Sequence, residues 1–347
     1  SLFILIRLII PEQNIVQVCP GIHERIESQR GFPYPGRMIR NKTTTVVILV
    51  NWEVLMKENI TFCHVTKKYA NGVMALDDID FSVGSGVFGL LGHNGAGKTT
   101  LMKALVTVLS PSAGTIRVCG FDTRKQGNEV RKRIGYLPQE LAMYPSLSVF
   151  DFVNYMAELK GIYDKKAVHE VLEQVELSAF SKRKIKQLSG GMKRRVGIAQ
   201  ALVGSPRILV VDEPTAGLDP EERVRFRGLL SRYAREGRTV LLSTHIVEDV
   251  HQLCGELAVL RNGRLFYAGT SAALLEQVKG NIKLLHLEDE NQLMELQKKA
   301  VVLQTTYENH GLTARIMDEN SAFPEAVSDT ATLEDAYVYC MGGKAHA

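Results

Sequence analysis

Residues Gly92 to Thr99 read GHNGAGKT, which fits the pattern G-x-x-x-x-G-K-[ST]. Glycines in such a loop let the backbone curl closely around phosphate oxygens, with its N–H groups pointing inward. Lys98 is placed to neutralise a β- and a γ-phosphate, and the Thr99 hydroxyl is placed to ligate Mg²⁺. Thr100 can donate to an α-phosphate. The pattern therefore predicts a site for a nucleoside triphosphate.

An acidic pair supplies the partner that such a loop needs. Ile208 to Val211 form a continuous apolar run, typical of a strand buried in a parallel sheet, and Asp212 stands at its carboxyl end. We expect Asp212 to hold Mg²⁺ through water. Glu213, the next residue, could polarise the water that attacks the γ-phosphate in line.

A second candidate phosphate site lies at LSGG, residues 188–191. Ser189, Gly190 and Gly191 open a run with helical spacing, so unpaired backbone N–H groups stand beside small residues. Such a helix start favours an anion. The cationic residues that follow are expected to form a solvated helix face: Lys193, Arg194 and Arg195.

The elements that must position these residues can be read from the spacing of apolar side chains. Strands are predicted at ITFCHVTKKY, LDDIDFSV and GVFGLLG, and a helix carrying Leu101, Leu105 and Leu109 follows the first loop. Two helices are predicted at SLSVFDFVNYMAELKG and KKAVHEVLEQVEL, with Ser146 or Ser148 as a cap. After Gly280 the chain becomes a polar, less periodic α/β tail.

Five motifs in this order resemble those of the ATP-binding subunits of ABC transporters: the phosphate loop, YLPQ with Gln139, LSGG, LVVDEPTAGLD and STH with His245. The resemblance covers roughly residues 56–280. It implies an α/β fold with a P-loop NTPase core, in which helices flank a mostly parallel sheet. It also implies an N-terminal antiparallel β subdomain, an inserted α-helical subdomain at about residues 140–200 and a small C-terminal extension at 281–347.

The resemblance also assigns roles, and it implies an ATPase that uses ATP and Mg²⁺. Gln139 would touch Mg²⁺ and the attacking water, and His245 would contact the γ-phosphate and align with Glu213. The catalytic residues are then Glu213, His245 and Gln139, and the Mg²⁺ ligands are Thr99, Gln139 and Asp212. ATP-binding residues are Tyr69, which would stack on adenine, Gly92, His93, Asn94, Gly95, Ala96, Gly97, Lys98, Thr99 and Thr100.

In the resembling ATPases a second subunit closes each site. Ser189, Gly190 and Gly191 would therefore bind the neighbour's ATP in trans, and Asp219 would lie at the dimer interface. This explains why one chain carries two phosphate sites. Met192 departs from the glutamine usual at that position, so any hydrogen bond made by that glutamine is lost.

The same resemblance implies a transmembrane permease as partner and a second nucleotide-binding subunit, identical or closely related. Residues 143–152, MYPSLSVFDF, suit docking on that permease. The ending ATLEDAYVYCMGG is similar to endings in the multidrug, antibiotic-resistance and lipid-export branch, which favours export. The expected location is peripheral, on the cytoplasmic face of a bacterial cell membrane.

The composition is compatible with this assignment and excludes few other classes of protein. The 347 residues carry a net charge of +4, which implies no nucleic-acid partner. The five cysteines show no C-x-x-C pair and no histidine at metal spacing, so they are expected to be reduced and to serve packing. The segment SLFILIRLII, broken by Arg7 and followed by Pro11, is far short of the roughly 20 apolar residues of a membrane span.

Residues 1–55 show no persistent period and are expected to be a poorly structured leader. Trp52-Glu53-Val54 can be encoded by a purine-rich string like a bacterial ribosome-binding site, so the domain is interpreted as starting at Met56. A mobile N-terminal extension is the alternative.

The same motifs and their spacing distinguish this function from several others. A DNA-repair or chromosome-maintenance ATPase would separate the phosphate loop from LSGG by a long coiled coil, and a translation-associated ABC ATPase would carry two cassettes. A GTPase would need Asn-Lys-x-Asp, which the sequence lacks. A regulatory ATPase without a transport role stays open, and so does a pure binding module if Glu213 is not catalytic.

Overall fold

The computed structural model describes residues 39–41, 44–46, 59–215, 218–308 and 311–341. The chain divides into two units, residues 1–58 and 59–347. In the first unit, two short strands pair antiparallel: β1 (Ile39–Asn41) and β2 (Thr44–Val46). The remainder of the predicted leader lies outside the described residues.

A six-stranded sheet forms the centre of the second unit, in the order β12-β11-β5-β10-β9-β8. Its strands are β5 (Gly86–Leu91), β8 (Ile134–Leu137), β9 (Ile208–Asp212), β10 (Thr239–Thr244), β11 (Glu256–Arg261) and β12 (Arg264–Thr270). All neighbours are parallel except β12, which pairs antiparallel with β11. This confirms the predicted mostly parallel sheet.

Apolar runs in the central strands fill a core on each face of this sheet. In β9, Leu209 and Val211 belong to one buried cluster, while Ile208 and Val210 belong to the other. Because successive side chains of a strand point to opposite faces, a strand covered on both sides must be apolar at every position. Polar Asp212 of β9 and Ser243 and Thr244 of β10 stand at the carboxyl ends of these strands, where a ligand can reach them.

An antiparallel sheet precedes and flanks this core, as predicted. Its order is β4-β3-β6-β7, formed by β3 (Ile60–Lys68), β4 (Met74–Val83), β6 (Ala113–Val118) and β7 (Phe121–Asp122). Helix α1 (Lys98–Leu105) follows the phosphate loop and packs into the cluster shared by both sheets. It ends earlier than predicted, since Thr107 has a φ of 66° and takes the chain out of the helix before Leu109.

Helical elements connect β7 to β9, and those that follow β8 form the predicted insertion. They are α2 (Gly127–Arg133), α3 (Val149–Leu159), α4 (Lys165–Gln174), two single 3₁₀ turns (Ser178–Phe180 and Ile185–Gln187) and α5 (Gly190–Leu202). Ser148 caps α3 by accepting a hydrogen bond from the Asp151 amide at 3.0 Å, which decides between the two predicted caps. Apolar faces of α3, α4 and α5 pack into the buried cluster that contains Leu209 and Val211, which is called the main cluster below.

The C-terminal part contains α6 (Pro220–Arg235), α7 (Val247–Leu253) and α8 (Ser271–Glu276) around the main sheet, followed by a small α/β extension. The extension has a sheet in the order β14-β15-β13-β16, with β13 (Ile282–Leu287), β14 (Val301–Glu308), β15 (Gly311–Met317) and β16 (Val327–Ser328). Helix α9 (Glu290–Lys299) covers it and α10 (Leu333–Cys340) returns to the main cluster. In the described part of the chain no helix is long and apolar enough to cross a membrane.

The cysteines differ in their surroundings, which corrects the prediction that all serve packing. Cys254 and Cys340 are buried, as expected, but Cys63 is exposed on β3. A left-handed bulge at His64, with φ 49°, lies where three potential metal-ligand atoms come within 4.8 Å of one another. These atoms are the Sγ atom of Cys63, a ring nitrogen of His64 and a carboxylate oxygen of Asp80. The linear spacing did not predict this group. An ion pair of 2.8 Å between His64 and Asp78 accounts for the ring's position.

Candidate functional site

The phosphate loop is held in its curled form by backbone contacts. Gly97 has a φ of 106° and stands directly before α1. A Cβ atom there would lie 2.7 Å from the Ala75 carbonyl oxygen, so only glycine fits. The Lys98 Nζ atom folds back over the loop and donates to the carbonyl oxygens of Gly92 at 2.6 Å and His93 at 3.2 Å. The loop is thus formed with its cation already inside.

Asp212 ends β9 and is fully buried. Its Oδ1 atom accepts a hydrogen bond from the Ser243 hydroxyl on β10, and its Oδ2 atom has no hydrogen-bond partner among the described residues. A buried carboxylate oxygen without a partner is costly unless a cation or water meets it. Hard oxygen donors such as this one and the Thr99 hydroxyl are what Mg²⁺ prefers. The residues present therefore fit the predicted metal.

The side chain of Glu213 contacts both the phosphate loop and the residue that follows β10. Its side chain is only 5% exposed, with Oε1 3.2 Å from the Lys98 ammonium and Oε2 2.8 Å from Nδ1 of His245. Since the carboxylate can only accept, Nδ1 of His245 carries the hydrogen. Glu213 itself has a φ of 47°, a conformation that few non-glycine residues adopt, and its amide donates to the Ser243 carbonyl at 3.1 Å. Such strain at a charged buried residue is typical of functional sites.

Tyr69 follows β3 and stands at the edge of the same site. Its hydroxyl lies 3.4 Å from the Thr100 hydroxyl, and its ring is partly exposed at 37%. The ring is therefore available to a planar ligand next to the start of α1. The sequence had placed Tyr69 near the nucleotide only through the family resemblance.

The remaining predicted residues lie on other elements. Ser189 is the N-cap of α5, where its hydroxyl accepts from the Met192 amide at 3.2 Å, and Gly190 beside it is exposed. Asp219 is exposed and caps α6 by accepting from the Glu222 amide at 2.9 Å. Gln139 follows β8 with an exposed side chain. Met192 packs against the main apolar cluster, so it does not replace the hydrogen bonding of a glutamine.

Arg194 corrects the prediction of a solvated cationic face on α5. Only 9% of it is exposed, and its guanidinium donates to five backbone carbonyls. The acceptors are Pro214 at 3.1 Å, Pro138 at 3.4 Å, Gln139 at 3.0 Å, Asp212 at 3.2 Å and Glu213 at 2.9 Å. Burial lowers the pKa of Arg194, and the charges of Asp212 and Glu213 oppose this effect.

Helical periodicity did not single out Arg194. Lys193, Arg194 and Arg195 each stand three and four residues before buried residues of α5, so spacing alone does not separate the inward cation from the other two. Arg195, one position on, points elsewhere and pairs with Glu222 at 3.1 Å. Of the three cations, Arg194 is therefore inside and Arg195 is partly covered.

The fold and the site define a P-loop nucleoside triphosphatase, with a phosphate loop, a buried carboxylate at a strand end and a glutamate held by lysine and histidine. Comparison with known proteins narrows this class. Residues 76–216 match the family described as "ABC transporter". The Nod factor export ATP-binding protein I of Burkholderia thailandensis is 39% identical over 229 residues, which span 64% of this chain and 74% of that protein.

Three further comparisons agree. A probable multidrug ABC transporter ATP-binding protein of Escherichia coli, YbhF, is 32% identical over 286 residues, which span 78% of this chain and 49% of that protein. Among solved structures, cbiO1 of Clostridium perfringens, part of the cbiONQ ABC transporter complex, has a TM-score of 0.58 and 28% identity over 64% of this chain and 92% of that one. The dimeric structure of a bacterial ABC transporter cassette has a TM-score of 0.56 and 26% identity, and the match covers 61% of this chain and 98% of that one.

The chain belongs to the ABC transporter family, as an ATP-binding subunit. It is an ATPase, and subunits of this kind work with transmembrane components. The family resemblance predicted from the sequence is confirmed.

Proposed function

We propose that this chain hydrolyses ATP with Mg²⁺ to drive export through a separate transmembrane subunit, with Glu213 as the general base. The observation that carries the proposal is the line of contacts from Lys98 through Glu213 to His245. It holds a carboxylate between the cation of the phosphate loop and a histidine at the next strand end. A base must lie within hydrogen-bond reach of the water that it activates, and this carboxylate stands beside the site of the γ-phosphate.

Each side chain then has a definite task. Lys98 leaves its carbonyl acceptors to neutralise the β- and γ-phosphates, while the loop amides bind their oxygens. Asp212, Thr99 and Gln139 would hold Mg²⁺, which neutralises developing phosphate charge when bound. Glu213 accepts the proton of the attacking water, and His245, fixed through Nδ1, presents its Nε2 edge toward the γ-phosphate. Tyr69 would stack on adenine.

The second phosphate site completes the proposal, because the phosphate loop leaves one side of the γ-phosphate open. Ser189 and Gly190 are exposed at the start of α5, whose first amides and dipole favour an anion. We infer that they close the site of a second subunit, identical or closely related, with Asp219 at the interface. The dimeric structure of a similar cassette supports this arrangement.

A groove of about 740 Å³ supports the proposed membrane partner. It lies between the helical insertion and the sheet, and its floor and walls are mainly apolar, including Tyr136, Met143, Met156, Leu159 and Ile162. An apolar groove of this size suits a short helix of a partner. The predicted docking stretch, residues 143–152, contributes Met143 and Phe152 to it.

Export, rather than import, rests on the relatives. The two curated proteins described above carry export or multidrug transport in their names. The proposed location is peripheral, at the cytoplasmic face of the cell membrane. The proposed domains are a leader at 1–55, an ATPase domain at 56–280 and an extension at 281–347.

Trapping the ATP-bound state tests the proposal. Glu213→Gln keeps the shape of the side chain but cannot accept a proton, so hydrolysis should fall by about 10²–10⁴-fold. The ATP-bound variant should form a dimer, which size exclusion with light scattering would detect with and without ATP–Mg²⁺. Adding Ser189→Arg should abolish that dimer and leave ATP binding intact. Equal dimerisation of the double variant would show that LSGG does not close the site. Unchanged hydrolysis in Glu213→Gln would show that Glu213 is not the general base.

A second measurement separates transport from a regulatory role. The chain should co-purify with a membrane subunit when expressed with its neighbouring genes, and that subunit should change its ATP turnover. Turnover that never responds to any such subunit would favour an ABC ATPase without a transport role.

A further inference from the structure

The guanidinium of Arg194 occupies a position where three functional segments meet. It is carried by α5, the helix that begins at Ser189, and it donates to backbone carbonyls at the ends of two neighbouring strands. Gln139 follows β8, Asp212 ends β9 and Glu213 follows it, and both segments bond to the same side chain. One buried cation therefore joins the loop of the proposed metal ligand to the segment of the proposed base.

Close packing makes this reach possible. Gly135 on β8 has no side chain to separate the strand from α5, and a Cβ atom there would lie 2.1 Å from the Ala201 carbonyl oxygen. A second tie lies farther along the helix, where Gln200 donates to the Tyr136 carbonyl at 3.0 Å. The helix and β8 are thus attached at two points, with Arg194 at the end nearest the site.

The bonding pattern makes Arg194 hard to replace. A guanidinium has five N–H donors in a rigid planar fork, and here Nε, Nη1 and Nη2 each have at least one carbonyl acceptor. A lysine ammonium has three donors at a single point and cannot span acceptors on two strands in the same way. Without the fork, buried carbonyls of both segments lose a charged donor.

We propose that Arg194 is a positioning residue for hydrolysis, which sets the placement of Gln139 relative to Glu213 and links both to the helix that carries Ser189. Movement of the helical insertion would then be transmitted to the metal ligand and the base of the same subunit through this side chain. The inference rests on the proposed roles of Gln139 and Glu213. It adds a residue that touches neither nucleotide nor metal.

Steady-state kinetics of the full chain test this role. Arg194→Met should lower kcat by about 10- to 100-fold, because a displacement of about 1 Å in a catalytic group costs on the order of 10²-fold. The KM for ATP should change less than kcat, since the carbonyl contacts that Lys98 makes within the phosphate loop do not involve Arg194. The Mg²⁺ concentration for half-maximal activity should rise. Arg194→Lys should lie between wild type and Arg194→Met in kcat.

A stability-matched variant separates positioning from general loosening. Val196→Ala removes buried methyl groups from the same helix without touching the five carbonyls. We expect it to lower the unfolding temperature and to keep kcat. If it loses as much kcat as Arg194→Met, the effect is structural and the inference is wrong. Arg194→Lys gives the same comparison should Arg194→Met fail to fold.

Combining variants locates the effect. If Arg194 acts through Gln139, the loss from Arg194→Met and Gln139→Ala together should be smaller than the product of the separate losses. Multiplicative losses would contradict the inference. The proposed function is checked in the same assay, because Glu213→Gln must lower turnover by about 10²–10⁴-fold for it to hold. Full activity in Arg194→Met beside an inactive Glu213→Gln would overturn this inference alone.

Discussion

The ion pair between Lys98 and Glu213 predicts that removing the base strengthens nucleotide binding. In the structure the Lys98 ammonium lies 3.2 Å from the Glu213 carboxylate, and both side chains are 5% exposed. ATP must take this cation away from the carboxylate and then place a γ-phosphate near the same negative charge. Glu213→Gln removes both obstacles, so its affinity for ATP should be higher than that of the wild type.

The magnitude follows from the distance. At 3.2 Å and an effective dielectric constant of about 20, the gross attraction between the two charges is about 5 kcal/mol. The phosphates restore most of this attraction to Lys98 when they replace the carboxylate. A remaining difference of about 1–2 kcal/mol corresponds to a Kd lower by roughly 5- to 30-fold.

Calorimetry with a non-hydrolysable ATP analogue would measure this difference without turnover. All chains should carry Ser189→Arg, so that dimer formation does not contribute to the Kd. Glu213→Asp is the matched control, because it keeps the negative charge and shortens the side chain. Its Kd should stay near that of the wild type while its hydrolysis falls.

Weaker binding by Glu213→Gln than by wild type would refute the reasoning. It would mean that the carboxylate orients Lys98 for phosphate rather than competing for it. Equal tightening by Glu213→Asp would also refute it, since charge would not be the cause.

Three further predictions follow from other parts of the structure. Gly135→Ala should lower the free energy of unfolding in urea by about 1–3 kcal/mol, because its Cβ would overlap the carbonyl of α5, whereas Gly228→Ala, on the exposed side of α6, should raise it by about 0.5–1 kcal/mol. The hydrogen bond to Asp78 raises the pKa of His64, so Asp78→Asn should lower that pKa in an NMR titration. The contribution of this pair to the free energy of unfolding is present below the unfolded pKa of about 6.5, and it disappears as pH rises through the folded pKa. A chain that begins at Met56 should fold and hydrolyse ATP as well as the full chain, and loss of solubility or turnover would contradict this.

Several elements of the fold could be predicted because their signals are local. The alternation in β3 and β4, the apolar runs of β5 and β9 and a serine cap at Ser146 or Ser148 each depend on neighbours in sequence. The C-terminal end of α1 could not be predicted from the sequence. The helix ends because Thr107 adopts a left-handed conformation, which the intrinsic preferences of threonine do not favour.

Residue types and spacing by themselves determined the candidate chemistry: the glycines and lysine of the phosphate loop, the paired carboxylates and the small residues before α5. Motif order determined the family. These features could be read because phosphate binding by backbone amides needs consecutive residues in one loop.

Only the tertiary structure decided which of these groups meet. It placed the Glu213 carboxylate between Lys98 and His245 and turned Arg194 inward. It also left Oδ2 of Asp212 without a hydrogen-bond partner in the described part of the chain. The acceptors of Arg194 are backbone carbonyls at and just after the ends of two strands, and a carbonyl is present at every residue, so no side-chain pattern could identify them. Which carbonyls lie within reach depends on how closely α5 packs on β8, and that is a property of the folded chain.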